Sequence, residues 1–233
     1  MFWQSVIELD KQLLLHLNGS ESIFWDGVMM TATSTLTWIP LAFVLLYVLA
    51  KNNSIREVFL IVGMIALVIL LADQISSSFF KPYFQRLRPT QDPGLMHQID
   101  MVDGYRGGIY GFISSHAANT FSVFVYLSLL IRSKALSVSL LGWAMLASYT
   151  RIYLGVHFPG DILCGTLCGV MVGFLVYQLH LYVYRKISSN RSFFSTQYTS
   201  SGYAIHDVNI LLSALHFTYI FVLMCGTWWW VTA

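Results

Sequence analysis

Apolar residues along this chain fall into long blocks divided by short polar stretches, and the blocks have the length of membrane-spanning helices. Residues 2–17 come first and behave differently. Phe2, Val6, Leu9, Leu13 and Leu17 share one helical face, with Gln4, Glu8, Lys11 and Gln12 opposite. That length and those charges predict a helix lying on the membrane surface. A first span follows over about 26–50, with Pro40 as its expected kink. Further spans are expected over about 57–80, 115–131, 135–153, 159–184 and 208–231. Gly165, Gly169 and Gly173 recur at i, i+4 and i+8 in the fifth, a stripe that predicts close packing on another helix. The last span ends in Trp228, Trp229 and Trp230, residues suited to a membrane interface. The expected fold is all-α: a polytopic membrane helix bundle of about six transmembrane helices with an N-terminal interfacial helix. It forms a single integral membrane domain over 1–233, with a core at 26–184 and an additional C-terminal span at about 208–231.

Composition agrees with the pattern. The chain is 56% hydrophobic and only 10% charged, with mean hydropathy +0.64, whereas a soluble domain carries roughly 25% charged residues. A net charge of +2 and the lack of a basic run with interleaved aromatics exclude a nucleic-acid partner. Cys164 and Cys168 sit at helical spacing in one apolar block, and Cys225 in another, so all three read as small membrane residues rather than ligands or a disulfide. No cleavable signal peptide is expected, because the start has no basic region and Glu8, Asp10 and Lys11 interrupt its apolar run. Alternation places the links 51–56, 132–134 and 185–207 on one side with seven Lys and Arg, against six on the other. Setting aside Lys81, Arg88 and Arg151 for chemistry leaves seven against three, so the first side reads as cytoplasmic and the other as periplasmic in a bacterium. The segment 185–207 is polar, basic and serine-rich, and reads as a mobile link.

Three stretches on the periplasmic side carry candidate chemistry. Lys81 and Arg88 follow the second span, within a long polar segment over 81–112. Ser114, Ser115 and His116 open the third span, and Arg151, His157 and Asp161 lie between the fourth and fifth. Three cations around one point suit a dianionic tetrahedral group, with arginines binding oxygens in two-pronged fashion and lysine as a point charge. The start of a helix at Ser114 and Ser115 adds hydroxyls and backbone N–H groups. Of the two histidines, His157 can be a nucleophile oriented by Asp161, and His116 can protonate a leaving oxygen. No acidic cluster has metal-ligand spacing. Asp73 lies inside the second span, eight residues before Lys81, and is a candidate support for the site cations. Arg106 is a candidate contact for a substrate headgroup, although both it and Arg86 read first as solvated loop charges. His16, His97, His180, His206 and His216 read as structural.

These motifs resemble the signature of the type 2 phosphatidic acid phosphatase (PAP2) superfamily, whose pattern is K-x6-R-P, then P-S-G-H, then S-R-x5-H-x3-D. The stretch KPYFQRLRP, from Lys81 to Pro89, matches the first in full. TRIYLGVHFPGD matches the third, with Thr150 in the serine position. ISSH, from Ile113 to His116, departs from the second in lacking its proline and glycine but keeps Ser114 and His116. The resemblance implies a membrane lipid phosphatase working without a metal or other cofactor. In it His157 forms a phosphohistidine, Asp161 orients His157, and His116 acts as acid and then base. Lys81, Arg88, Ser114, Ser115 and Arg151 would hold the phosphoryl oxygens. The implied partner is a lipid phosphate in the bilayer, most specifically lipid A phosphate (1- or 4'-) or undecaprenyl pyrophosphate, with the enzyme in the bacterial inner membrane and its site facing the periplasm. Competing readings are a phosphatidylglycerophosphate or phosphatidic acid phosphatase, a lipid phosphotransferase on the same site, and a small transporter using Asp73 and Arg151. The sequence says nothing of oligomeric state.

Overall fold

The structure is a computed structural model, described over residues 2–187 and 196–232. Helix α1 spans Phe2–Leu17. Its docked face differs from the expected apolar stripe. Leu14 is fully buried, with Leu17 partly so, against Leu95, Ile99, Ile152 and Phe158. Val6, Leu9 and Leu13 stay exposed on the neighbouring face. An amphipathic helix with one edge on protein and another bare apolar edge is placed to touch lipid with the latter.

The expected first span is two helices, α2 (Ile23–Thr33) and α3 (Thr35–Asn52), broken at Ser34, with Pro40 inside the second. Ser34 has an extended backbone (φ −72°, ψ 126°), and side chains just beyond it satisfy carbonyls that the break frees. Thr37 donates to the Thr31 carbonyl at 2.7 Å and Trp38 Nε1 to that of Ala32 at 2.9 Å. Pro40 is past the first turn of α3, so its missing N–H removes the ladder bond to the Leu36 carbonyl.

Helix α4 (Ile55–Asp73) opens on a capping box between Ser54 and Glu57. It passes directly into a π-helical stretch, Gln74–Phe80, and a short α5, Lys81–Phe84, which Gln85 ends in a left-handed conformation. The whole forms one apolar run of 30 residues, Ile55–Phe84. Thus the first residues of the segment 81–112 belong to the span and not to a loop. Pro82 supplies no N–H, and the wider hydrogen-bonding before it, with the Lys81 N–H reaching the Ser76 carbonyl, accommodates that gap. Helices α6 (Ser115–Ile131), α7 (Lys134–Tyr153), α8 (Pro159–Ile187) and α9 (Ile205–Thr232) then follow the expected spans closely.

Counting α2 with α3 and α4 with α5, the described residues after α1 form six long helical segments, and four helices, Thr35–Asn52, Ile55–Phe84, Pro159–Ile187 and Ile205–Val231, are long and apolar enough to cross a membrane. Val48 and Leu49 of α3, Ile61 and Val68 of α4, Tyr126 of α6, Leu136 of α7, Val172 of α8 and Leu215 of α9 all contribute to one apolar core. The glycine stripe works as its spacing predicts. A methyl at Gly165, Gly169 or Gly173 would fall on the carbonyl oxygens of Ser114, Ala118 and Ser122, so α8 lies backbone to backbone on α6. Helix α9 packs along α2 and α3, with Trp229 against Gly27.

At one end of the bundle Lys51 and Asn52 bond Asp207, at 2.8 and 3.0 Å, and Ser201 donates to the Ile131 carbonyl. The ends of α3 and α6 therefore meet the start of α9 and the segment before it, as alternation requires. The expectation of a mobile link falls partly on residues 188–195, which lie outside the described residues. The opposite end gathers the C-terminal end of α5, the start of α6, the end of α7 and the start of α8.

Candidate active site

Lys81, His116, Arg151 and Asp161 come from helix ends, His157 from the turn before α8, and Arg86 and Arg88 from the extended strip 86–88. Leu87 pairs with Tyr110 in an isolated antiparallel bridge, Arg88 N–H donates to the Ile109 carbonyl, and Gly111 N–H to that of Arg86. Alternation in an extended strip turns Leu87 outward and both arginines inward. Arg88 is buried beneath the loop that carries Tyr105, Gly107 and Gly111. A Cβ at Gly107 would sit 2.9 Å from Arg88 Nη1, and one at Gly111 would sit 3.1 Å from Asp161 Oδ2. The two glycines let the backbone lie directly over the site.

The predicted residues come together. Lys81 Nζ donates to Ser115 Oγ at 3.0 Å and to Ser77 Oγ at 3.1 Å. Ser77 donates in turn to Asp73 at 3.2 Å, so Asp73 supports Lys81 through a serine rather than directly. Lys81 lies within the electrostatic reach of Arg88, Arg151 and Asp161, and His116 within that of Arg151. Arg151 donates to Thr33 Oγ1 at 2.7 Å and Tyr105 Oη at 3.1 Å, and its ring contact with Tyr105 is 5.3 Å. Its Nε is buried with no partner. A buried guanidinium N–H with no acceptor is uncommon, and guanidinium donors pair well with oxyanions.

His157, in the turn before α8, is 1% exposed. Arg88 Nη1 lies 3.1 Å from its Nε2, and a guanidinium can only donate. Nε2 therefore accepts, and the ring proton sits on Nδ1, facing Asp161 Oδ2 at 3.4 Å. Burial pushes the imidazole down to about 3, with Asp161 pulling it up and Arg88 down, so the ring is neutral at physiological pH. Arg88 itself is lowered from its ordinary value by burial and by the charge of Arg151.

Two expectations change. Ser114 is fully buried; its N–H donates to the Asp161 carbonyl at 3.0 Å and its hydroxyl accepts from Ala117 N–H at 3.3 Å. It caps α6 and joins it to α8 instead of facing outward to an anion. Arg86 is no solvated charge. It bonds Asp161 Oδ1 at 2.8 Å and Asp10 Oδ2 at 2.7 Å, with its guanidinium 4.0 Å from the Phe158 ring centre. The R-L-R alternation was the signal for it, since residues two apart in an extended strip share a side. Asp10 gave no such local signal. Arg106 is exposed in the covering loop. Tyr105 and Thr33, which hold Arg151, also went unnoticed in the sequence.

Apolar helices that converge on four cations and on two histidines, one of them facing a carboxylate, fit the class of membrane enzymes of phosphoryl chemistry. The chain belongs to the PAP2 superfamily, whose family model matches residues 57–185. It is 42% identical over 171 residues to the lipid A 4'-phosphatase of Bacteroides thetaiotaomicron, covering 73% of this chain and 76% of that protein. It is 38% identical over 177 residues to the lipid A 4'-phosphatase of Porphyromonas gingivalis, covering 76% and 75%. The crystal structure of Aquifex aeolicus LpxE superposes with a TM-score of 0.56 at 25% identity, covering 72% of this chain and 93% of that one. The chain is an integral membrane protein of the lipid phosphatase class, and the resemblance read from its motifs holds.

Proposed function

We propose that this protein removes a phosphate monoester from lipid A, at the 4' position, at the periplasmic face of a bacterial inner membrane and without a metal. The observation that carries the reading is the meeting of Lys81, Arg88, Arg151, His116 and neutral His157 at one end of the bundle. The relatives named as lipid A 4'-phosphatases, similar over three quarters of the chain, support the substrate. The basic links at the opposite end support the orientation.

Lys81, Arg88 and Arg151 receive the phosphoryl oxygens, with the Ser115 hydroxyl beside Lys81. When the phosphate takes Arg88, the guanidinium leaves His157 Nε2 and uncovers its lone pair. Nε2 attacks phosphorus; the bond from phosphorus to the lipid oxygen breaks, and His116, which enters the step as imidazolium beside the bound phosphate dianion, gives that oxygen its proton and becomes neutral. Asp161 faces the Nδ1–H and stabilises the imidazolium that forms. Water then attacks the phosphohistidine and passes a proton to His116, which releases inorganic phosphate and restores neutral His157. Fixed positive charge at the phosphoryl oxygens supplies most of the acceleration.

The test uses purified protein in detergent with lipid A and EDTA, scored by released phosphate and by the mass and position of phosphate left on the lipid. Wild type should release the 4'-phosphate, and His157→Gln should be at least about 10⁴-fold slower. Release by the variant at the wild-type rate would remove the nucleophile. Turnover of undecaprenyl pyrophosphate but not lipid A would replace the substrate, and loss of activity in EDTA would restore a metal.

A further inference from the structure

Asp10 lies on the surface helix, 151 residues from Asp161, yet it reaches the nucleophile's support. The first turn of α8 leaves N–H groups that need acceptors, and Phe158, just before it, has no acceptor in its side chain. Two aspartates fill the gap. Asp161 accepts the Phe158 N–H through Oδ2 at 3.0 Å, and Asp10 accepts the Gly160 N–H through Oδ1 at 2.7 Å. Gly160 is required for this approach, since a Cβ there would sit 2.8 Å from Asp10 Oδ2. The other oxygen of Asp10 takes Arg86, whose second arm takes Asp161 Oδ1.

Both oxygens of Asp161 are thus held, Oδ1 by Arg86 and Oδ2 by a backbone N–H, and Oδ2 is the one that faces His157 Nδ1 at 3.4 Å. A carboxylate with one free oxygen can swing about its last torsion; this one cannot. Charge balance works in the same direction. Arg86 stands between two carboxylates, so Asp10 satisfies part of its pull and leaves Asp161 negative toward the imidazole. Removing Asp10 would leave Arg86 to Asp161 alone.

We propose that Asp10 and Arg86 are positioning residues for His157, through which α1 couples its seat at the membrane surface to the nucleophile. The seat is visible in the packing: Leu14 beside Asp10 is fully buried, while Val6, Leu9 and Leu13 remain bare on the next face. Neither residue touches the phosphate; both act through Asp161. The inference rests on the phosphohistidine reading above.

The experiment uses full-length protein in detergent and lipid A labelled in its 4'-phosphate. The label on protein is followed by rapid quench into alkali, where phosphohistidine survives, together with steady-state release of phosphate. Asp10→Ala should slow both labelling and kcat about ten- to a hundredfold and leave KM within about twofold, the range expected when the partner of a functional histidine's support is lost. Asp10→Asn, which can still accept the Gly160 N–H but has no charge for Arg86, should fall between Asp10→Ala and wild type. In an Arg86→Ala background, Asp10→Ala should have much less effect than it has alone, because the two act as one unit. Labelling by Asp10→Ala and Asp10→Asn at the wild-type rate would overturn the proposal. So would a rise in KM with kcat intact, or a loss of activity wholly matched by loss of folded protein. Absence of label on wild type would instead overturn the nucleophile reading, and this inference with it.

Discussion

The two ends of the bundle hold similar numbers of basic residues, seven in the links at one and six at the other, and bury them to different degrees. At the basic end, Lys51 is 46% exposed in its pair with Asp207, and Lys186 leans on Tyr182 at the surface. At the other end Arg88, Arg151, His157 and Asp161 are all less than 10% exposed. There, carboxylates are shared between donors: Asp161 serves Arg86, Phe158 N–H and the face of His157, and Asp10 serves Arg86 and Gly160 N–H. Buried charge is tolerated only when paired and hydrogen-bonded. At the site end Arg151 Nε and His157 Nδ1 are buried without a hydrogen-bond partner, and in the function proposed above the first of them receives a phosphoryl oxygen. A charge count along the chain cannot see this difference, because it weighs Lys51 and Arg151 equally.

The contrast is broken most strongly at Arg151. Arg151→Ala removes the buried donor proposed to bind phosphate, along with its bonds to Thr33 and Tyr105. It should lower kcat/KM about a hundred- to a thousandfold, the range seen when one preorganised donor to a reacting oxyanion is lost. Phosphate release under saturating and limiting lipid checks this. A loss below tenfold would place Arg151 outside the phosphate site and leave its burial to structure alone.

The next effect separates fold from site along a single helix. A Cβ at Gly165 would lie 2.5 Å from the Ser114 oxygen, and one at Gly173 would lie 2.5 Å from the Ser122 oxygen. Gly165→Ala and Gly173→Ala should each destabilise by about 1–3 kcal/mol, because the backbones of α6 and α8 must part. Only Gly165→Ala should also lower kcat, since Ser114 carries the α6 start with Ser115 and His116 on it. Thermal melts in detergent beside phosphate release give both readouts. Equal loss of kcat in the two variants would mean that activity tracks the bundle as a whole and not the local approach at Gly165.

That same approach explains why so much of the site was legible. The spans from α6 to α9 follow hydrophobic blocks, and the glycine stripe states which face of α8 meets its neighbour. Motif spacing then brings Lys81, Arg88, Ser115, His116, Arg151, His157 and Asp161 to one end. What was missed depends on contacts across long sequence separations. The break at Ser34 is stabilised by Thr37 and Trp38 side chains reaching back to Thr31 and Ala32, a capping pattern outweighed in the sequence by the presence of Pro40. Ser114 has the composition of an anion ligand and the position of a helix cap, and the cap is what its neighbours satisfy. Arg86 was readable from alternation with Arg88, but Asp10 was not. Nothing near it in sequence indicates that α8 lacks an acceptor at its start.

The smallest effect tests the basic end. Lys51 Nζ lies 2.8 Å from Asp207 Oδ1, but Asn52 also donates to Asp207, at 3.0 Å from Oδ2. The aspartate therefore keeps a donor when the lysine goes, and Lys51 already shares itself with water and the Tyr47 ring. Lys51→Met should leave kcat and KM within about twofold of wild type, as expected for a surface charge away from any buried network. Orientation should also hold, because the variant removes only one of seven basic residues from the links on that side and leaves most of the excess that sets topology. Cysteine-accessibility labelling of a residue placed in the link 132–134 reads this directly in cells. Labelling from the periplasm in the wild-type background would reverse the orientation and move the site to the cytoplasmic face. Cytoplasmic labelling that persists in Lys51→Met, with activity intact, would show that this end tolerates the loss of a charge that the site end does not.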